Sequence, residues 1–184
     1  MTTPQRGFCA TCNKFGARLA CSACMSLEYC DAGCQRRSWK SHKLECKSRA
    51  ASSLSTLQGE AKAGNTIAQY NLGVYYEMGF GVSADEVKAV TWYRRAAEAG
   101  NLNAQYNIGK CYLKGKGVSV DAAQAVTWYR RAAEAGHSKA QFNLGVCYHN
   151  GVGVPKDVVE SRKWFRRAAD AGHADASEML SSMG

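Results

Sequence analysis

The feature that most restricts the fold of this chain is an internal repeat of 36 residues. AQYNLGVYYEMGFGV at 68–82 returns as AQYNIGKCYLKGKGV at 104–118 and as AQFNLGVCYHNGVGV at 140–154. AVTWYRRAAEAG at 89–100 returns unchanged at 125–136 and as SRKWFRRAADAG at 161–172. The glycines at 64, 100, 136 and 172 keep that spacing without insertion. A unit of this size is one supersecondary element, and it buries its apolar face only against copies of itself. The chain is therefore restricted to a stacked array.

Each unit reads as two helices, A and B. Helix A is expected over 66–78 in the first copy, where Ile67, Tyr70, Leu72, Val74 and Tyr75 include helical spacings. The loop GFGVSAD follows. Asp85, Asp121 and Asp157 stand where helix B starts, where a carboxylate caps free N–H groups and favours the helix dipole. Helix B carries Trp92, Tyr93, Ala96 and Ala97, and Gly100 closes it. Gly73, Gly109 and Gly145 interrupt helix A, each at about 1 kcal/mol relative to alanine. Their presence in all three copies predicts a close helix approach, with the Ala96/Ala97 pair as the surface expected to meet it. The unit resembles the Sel-like repeat, a relative of the tetratricopeptide repeat, through A-x-x-x-L-G-x-x-Y-x-x-G-x-G-V followed by A-x-x-W-Y-x-x-A-A-x-x-G. That resemblance implies a mainly α fold, a right-handed α-solenoid of antiparallel helix pairs. It also implies a scaffold or adaptor rather than an enzyme.

The phase of the repeat sets the expected domain limits. Repeats occupy 65–100, 101–136 and 137–172. LSTLQGEAKAG at 54–64 aligns with 90–100, with Leu54 and Leu57 in place of Val90 and Tyr93, and reads as an N-terminal capping helix. Residues 173–184 hold ADASEMLSS, the start of a fourth helix A, and read as a C-terminal capping helix. Residues 47–53 are a linker or helix extension, and residues 1–46 form a separate unit.

Seven of the nine cysteines and one of the four histidines fall between Cys9 and Cys46. They form four pairs: Cys9/Cys12, Cys21/Cys24, Cys30/Cys34 and His42/Cys46. Eight soft ligands grouped two and two fit two tetrahedral Zn²⁺ ions, and the spacing alone leaves cross-braced and sequential pairing open. Four protein ligands per ion leave no open position for a catalytic water. Ala17, Leu19 and Tyr29 are expected in short extended pieces, and from Cys34 onward the pattern is helical. The stretch has few apolar residues, so metal rather than core burial is expected to hold it together. Ligating cysteines must stay reduced. The N-terminus shows no secretory signal and no apolar run is long enough to span a membrane, so the expected compartment is the cytosol or nucleus. A disulfide cluster fits less well, because a histidine sits in register with the cysteines. RING-type ligand order places a histidine in mid-series, whereas here the histidine comes seventh.

The whole spacing resembles the MYND-type zinc finger: Tyr29 precedes Cys30, Gln35 follows Cys34, and Trp39 precedes His42. The resemblance implies a cross-brace, with Cys9, Cys12, Cys30 and Cys34 on one zinc and Cys21, Cys24, His42 and Cys46 on the other. It also implies a peptide-docking surface, since many such fingers take proline-rich P-x-L-x-P motifs. The residues that match that groove here are Ser22, Gln35 and Trp39. A proline-rich ligand is preformed and needs only an aromatic wall and a few hydrogen-bond partners.

The formal charge of +9 overstates the basic character. Seven ligating thiolates subtract seven and two Zn²⁺ add four, which brings the loaded chain to about +6. Arg94/Arg95, Arg130/Arg131 and Arg166/Arg167 form a ladder, expected on a solvated helix face and paired with Glu98, Glu134 and Asp170. Cys111 and Cys147 share one repeat position and read as small core residues. His137 and His173 align with Asn65 and Asn101 and read as turn or cap residues, and His149 is expected on the surface.

No nucleophile motif, phosphate loop or open metal site is present in the sequence, so the expectation is not an enzyme and no small-molecule substrate. The sequence reads as an adaptor for protein or peptide partners, with two structural zinc ions and no membrane association. Two alternatives remain open. One is nucleic-acid binding through Arg36, Arg37, Lys40, Lys43, Lys47 and the arginine ladder. The other is a finger that only caps the solenoid.

Overall fold

The computed structural model describes residues 54–183 and, upstream, the backbone of two short strands, Leu19–Ala20 (β1) and Glu28–Tyr29 (β2). The strands pair antiparallel, with Leu19 opposite Tyr29 and Ala20 opposite Glu28. Eight helices follow among the described residues. They are α1 over 54–62, α2 Thr66–Met78, α3 Glu86–Glu98, α4 Leu102–Lys114, α5 Ala122–Glu134, α6 Ser138–Asn150, α7 Val158–Asp170 and α8 Ala174–Ser182. The main helix contacts join sequence neighbours from α2 to α8, which is the arrangement of an α-solenoid.

Local chemistry sets the helix ends. Asp85, Asp121 and Asp157 each accept a backbone N–H three residues on, at 2.9 Å, and so cap α3, α5 and α7. The capping N–H of Lys88 holds the Asp85 carboxyl below its ordinary range. Asn65 and Asn101 cap α2 and α4 in the same way, with Oδ1 at 3.0 Å from Ala68 N and Ala104 N. At the other end of α3, Asn101 N–H bonds Ala96 O at 2.9 Å and Gly100 N–H bonds Ala97 O at 3.1 Å. That reversal needs a left-handed residue, and Gly100 has φ +88°.

The core is the same in each repeat. Tyr93, Tyr129 and Phe165 are the largest fully buried side chains. Each lies against the glycine of its own helix A: a Cβ built on Gly73, Gly109 or Gly145 would stand 2.6, 2.7 or 2.8 Å from the ring. This corrects the expectation that Ala96 and Ala97 meet that glycine. The alanines pack instead with Ala104 and Ile108, so they seat helix A of the next repeat. The ring closes the helix pair and the alanines join one pair to the next.

A polar contact repeats at the same joints. Gln69, Gln105 and Gln141 are buried, and their Nε2 groups donate to the carbonyls of Ala61, Ala97 and Ala133 at 3.1, 3.1 and 3.0 Å. Each glutamine ties its helix to the one before it.

The expected apolar face of the first helix A needs a second correction. The buried residues of α2 are Ala68, Gln69, Leu72 and Gly73, whereas Ile67 is 65% exposed. Both ends of the array are closed by single helices. Leu54 and Leu57 of α1 pack on Ala61, Ala68 and Leu72. At the far end, Arg162 is exposed where its counterparts Val90 and Val126 are buried, and its guanidinium donates to the carbonyl of Met183 after α8.

Candidate functional site

The eight proposed zinc ligands, Cys9, Cys12, Cys21, Cys24, Cys30, Cys34, His42 and Cys46, lie outside the described residues, as do Ser22, Gln35 and Trp39. The expected extended pieces at Leu19 and Tyr29 do form a strand pair. Among the described residues, no cluster of histidine, cysteine and acidic side chains is arranged to hold a metal.

The other cysteines and histidines serve the fold. Cys111 and Cys147 are buried free thiols, and burial pushes each up to about 11. They stay protonated at neutral pH and pack as small apolar groups. His149 departs from expectation: it is half-buried, with its Nδ1 enclosed, rather than on the surface. His173 precedes α8 and stacks on Phe142 at 4.6 Å without a side-chain capping bond.

His137 caps α6, its Nδ1 accepting the Ala140 N–H at 3.1 Å. Its Nε2 lies 3.1 Å from Asn103 Oδ1, so the neutral tautomer with hydrogen on Nε2 satisfies both partners. Burial, and then the charge of Lys139, hold its pKa below the ordinary value. The folded array thus resists protonation more than the unfolded chain does. Its stability from this group is complete above the ordinary histidine pKa and is lost as pH falls through the lower folded value. A protonated Nδ1 can no longer accept the helix N–H, so acidification is expected to cost roughly 0.5–1 kcal/mol at this cap. His137→Asn copies the residue at 65 and 101 and should remove that part of the dependence. Urea midpoints followed by helical ellipticity at pH 7.5 and 5 check this; equal pH dependence in both proteins would refute it.

The arginine ladder sits on a solvated face, but its partners differ from expectation. Among the described residues the ion pairs are Lys88–Asp85, Lys116–Glu86 and Lys163–Glu160, with no arginine in them. Arg95, Arg131 and Arg167 instead lie over the rings of Trp92, Trp128 and Trp164, at 4.8, 4.8 and 4.6 Å. Arg94 and Arg130 donate to the hydroxyls of Tyr112 and Tyr148 in the following repeat, at 2.8 and 2.7 Å. Five of the six are therefore engaged with aromatic groups, three within their own helix and two, Arg94 and Arg130, joining one repeat to the next.

An open groove runs between the helices A of the second and third repeats. It has a volume of about 380 Å³, with Tyr106, Lys110, Leu113 and Lys114 of α4 on one side and Asn143 and Val146 of α6 on the other. Tyr129 forms part of its floor, its hydroxyl pKa raised chiefly by burial. Sequence reasoning did not pick out these residues. A signal was there for part of the lining, since Lys110, Leu113, Lys114 and Val146 fall at positions where the three copies differ, whereas Tyr106, Tyr129 and Asn143 are shared or nearly shared between them. The groove has no nucleophile–base pair; what its mixed basic and apolar lining can do is bind a side chain.

A stack of capped helix pairs with a lateral groove defines a solenoid repeat protein. The Sel1 repeat family model matches residues 66–101, 102–137 and 138–173, and the MYND finger model matches residues 9–46. The chain belongs to the Sel1 repeat family and carries a MYND finger ahead of the array. Among solved structures it is similar to a Sel1 repeat protein from Oxalobacter formigenes, at 38% identity and TM-score 0.66, over 71% of this chain and 98% of that one. It is also similar to a protective antigen of uropathogenic Escherichia coli that displays an SLR fold. There the identity is 47% and the TM-score 0.65, over 67% of this chain and 26% of that one.

Curated relatives match through the finger. SET domain and MYND-type zinc finger protein 6 of Schizosaccharomyces pombe is 44% identical over 45 residues, 24% of this chain and 9% of that protein. SET domain-containing protein 14 of Caenorhabditis elegans is 51% identical over 41 residues, 22% of this chain and 10% of that protein. The chain thus spans a tenth or less of these relatives. Among the described residues, no helix is long and apolar enough to cross a membrane.

Proposed function

We propose that this protein is a non-enzymatic adaptor of the cytosol or nucleus. Its finger docks a short peptide motif, proline-rich in one form, and the groove of its repeats holds a second partner. The observation that carries the reading is the contrast within the array. Residues of the joints and the core are nearly invariant between copies, while Lys110, Leu113, Lys114, Val146 and Val152 of the open groove stand at positions where the copies differ. Packing does not dictate those positions, which leaves them free to serve recognition.

The donor chemistry of the finger suits two structural zinc ions, seven thiolates and one imidazole in two closed sets. The strand pair supports the cross-braced assignment. In an antiparallel pair the chain enters β1 and leaves β2 at the same end, whereas the segment between the strands turns at the other. The first ligand pair precedes β1 in sequence, the third directly follows β2, and the second lies between the strands. That favours Cys9, Cys12, Cys30 and Cys34 on one ion, and Cys21, Cys24, His42 and Cys46 on the other. Bound zinc would fix the backbone around Ser22, Gln35 and Trp39 and take no part in chemistry.

The likeness to the curated relatives covers the finger alone, so the SET domain in their names lends this chain no activity. Nucleic-acid binding loses support because aromatic partners occupy most of the arginine ladder.

The test is binding of a labelled P-x-L-x-P peptide to the zinc-loaded full chain. Trp39→Ala is expected to weaken it about tenfold or more, with little dependence on salt. Unchanged binding in Trp39→Ala would leave the finger as a cap alone. A steep salt dependence with duplex or single-stranded nucleic acid would replace the adaptor reading with the nucleic-acid one.

A further inference from the structure

The groove between α4 and α6 has a chemical character that the other repeats do not share. Lys110 stands where the first and third copies have Val74 and Val146, and Lys114 where they have Met78 and Asn150. The two lysines are one helical turn apart on the same face of α4. Neither has a carboxylate within ion-pair distance, since the pairs formed among the described residues involve Lys88, Lys116 and Lys163. Lys110 is half-buried, with its ammonium 5.6 Å from the Tyr106 ring centroid. Leu113 lies between the lysines in sequence, and the lining continues through Tyr129 and Val146. No acidic side chain lines the groove.

Two unpaired cations beside an apolar floor call for an anionic partner with an apolar side chain. A volume of about 380 Å³ lies at the small end of the usual range for pockets, enough for one large side chain but not for a folded domain. We infer that this groove binds an extended peptide in which an aliphatic or aromatic residue is flanked by acidic residues. The apolar side chain sits between Leu113 and Val146, and the carboxylates face Lys110 and Lys114. The inference rests on the reading of the repeats as a second docking face and gives that face its partner's chemistry. A nucleic acid suits the groove less well, because two cations beside a leucine and a valine make a poor track for a phosphate backbone.

The experiment is fluorescence polarisation with the zinc-loaded full chain and four labelled probes. These are a ten-residue peptide with leucine flanked by aspartate and glutamate, its Asn/Gln analogue, its Leu→Ser analogue, and a single-stranded oligonucleotide of equal charge. The acidic, leucine-bearing peptide is expected to bind about tenfold more tightly than each of the others. The double variant Lys110→Glu, Lys114→Glu should lose that binding by about tenfold or more, and Lys110→Gln, Lys114→Gln by less. Lys139→Glu, outside the groove, should bind as the parent does. Equal binding of the peptide and the oligonucleotide would overturn the inference, as would equal binding by parent and double Glu variant, or no binding of the acidic peptide. A P-x-L-x-P peptide measured alongside separates two failures. If it binds in a Trp39-dependent way while the acidic peptide does not, only the groove assignment is lost. If neither binds, the adaptor reading falls with it.

Discussion

Replacing Gly117 by alanine is expected to lower the unfolding free energy of the array by about 3 kcal/mol, a large part of the roughly 5–15 kcal/mol that holds a domain folded. Two effects add. Gly117 has φ +65°, where an L side chain costs on the order of 1–2 kcal/mol. A Cβ there would also stand 2.2 Å from the carbonyl oxygen of Glu86 and 2.9 Å from Val87 N, the first turn of α3 in the preceding repeat. Those are backbone atoms of a capped helix, so they cannot swing aside as a long side chain would. Separating the repeats to make room costs roughly a further 1–3 kcal/mol. The smaller entropy of the unfolded alanine chain returns only about 0.4–1 kcal/mol. Gly136→Ala is the control: it has φ +91° but nothing within 4 Å of the added carbon, so it carries the strain without the collision. Urea unfolding of both variants, followed by helical ellipticity, should place Gly117→Ala well below Gly136→Ala. Gly153→Ala, which meets Ala122 O at 2.2 Å, should behave like Gly117→Ala. Equal losses in all three would show that the loop moves away at no cost and that the close approach contributes nothing.

That contact also marks how far the sequence could be read. The period fixed the helix pair and its phase, because Asp85, Asp121 and Asp157 stop and restart the chain at the same point in each copy, and local capping needs no tertiary information. Which face of helix B meets which neighbour is different. It depends on crossing angles between helices, and these are set by side chains from two repeats at once. Hence the ring of Tyr129, and not an alanine pair, proved to be the group opposite Gly109. Gln105 reads in sequence as one more polar helix residue, yet it reaches a carbonyl of the preceding helix. The arginines were misassigned for a related reason. Spacings of three and four residues bring Glu98 within reach of Arg94 and Arg95, but an exposed ion pair gains little in water. The flat faces of Trp92 and the Tyr112 hydroxyl of the next repeat offered these guanidinium groups the contacts they make. The groove was legible only by asking the opposite question of a repeat, namely where its copies disagree.

Removing zinc from the full chain is expected to unfold the segment from Cys9 to Cys46 and to leave the helices of the array intact. The two parts gain their stability from different sources. The finger has few apolar residues and, at under 40 residues, too little surface to bury; structural zinc contributes on the order of 10–16 kcal/mol to such a unit. The array buries Tyr93, Tyr129, Phe165, Leu72, Ile108 and Leu144 completely and closes its ends with α1 and α8. Thiol counting separates the two. Of the nine cysteines, seven are the proposed ligands, whereas Cys111 and Cys147 are buried in the array and pushed up to about 11. A chelator should therefore release two Zn²⁺ per chain and expose seven reactive thiols, with helical ellipticity nearly unchanged. The last two thiols should react only when urea unfolds the repeats. Release of one zinc or none would end the two-site assignment. Nine thiols reacting together as the metal leaves, with helical signal lost at the same rate, would show that array and finger fold as one unit. The finger would then be part of the solenoid's cap as well as a docking module.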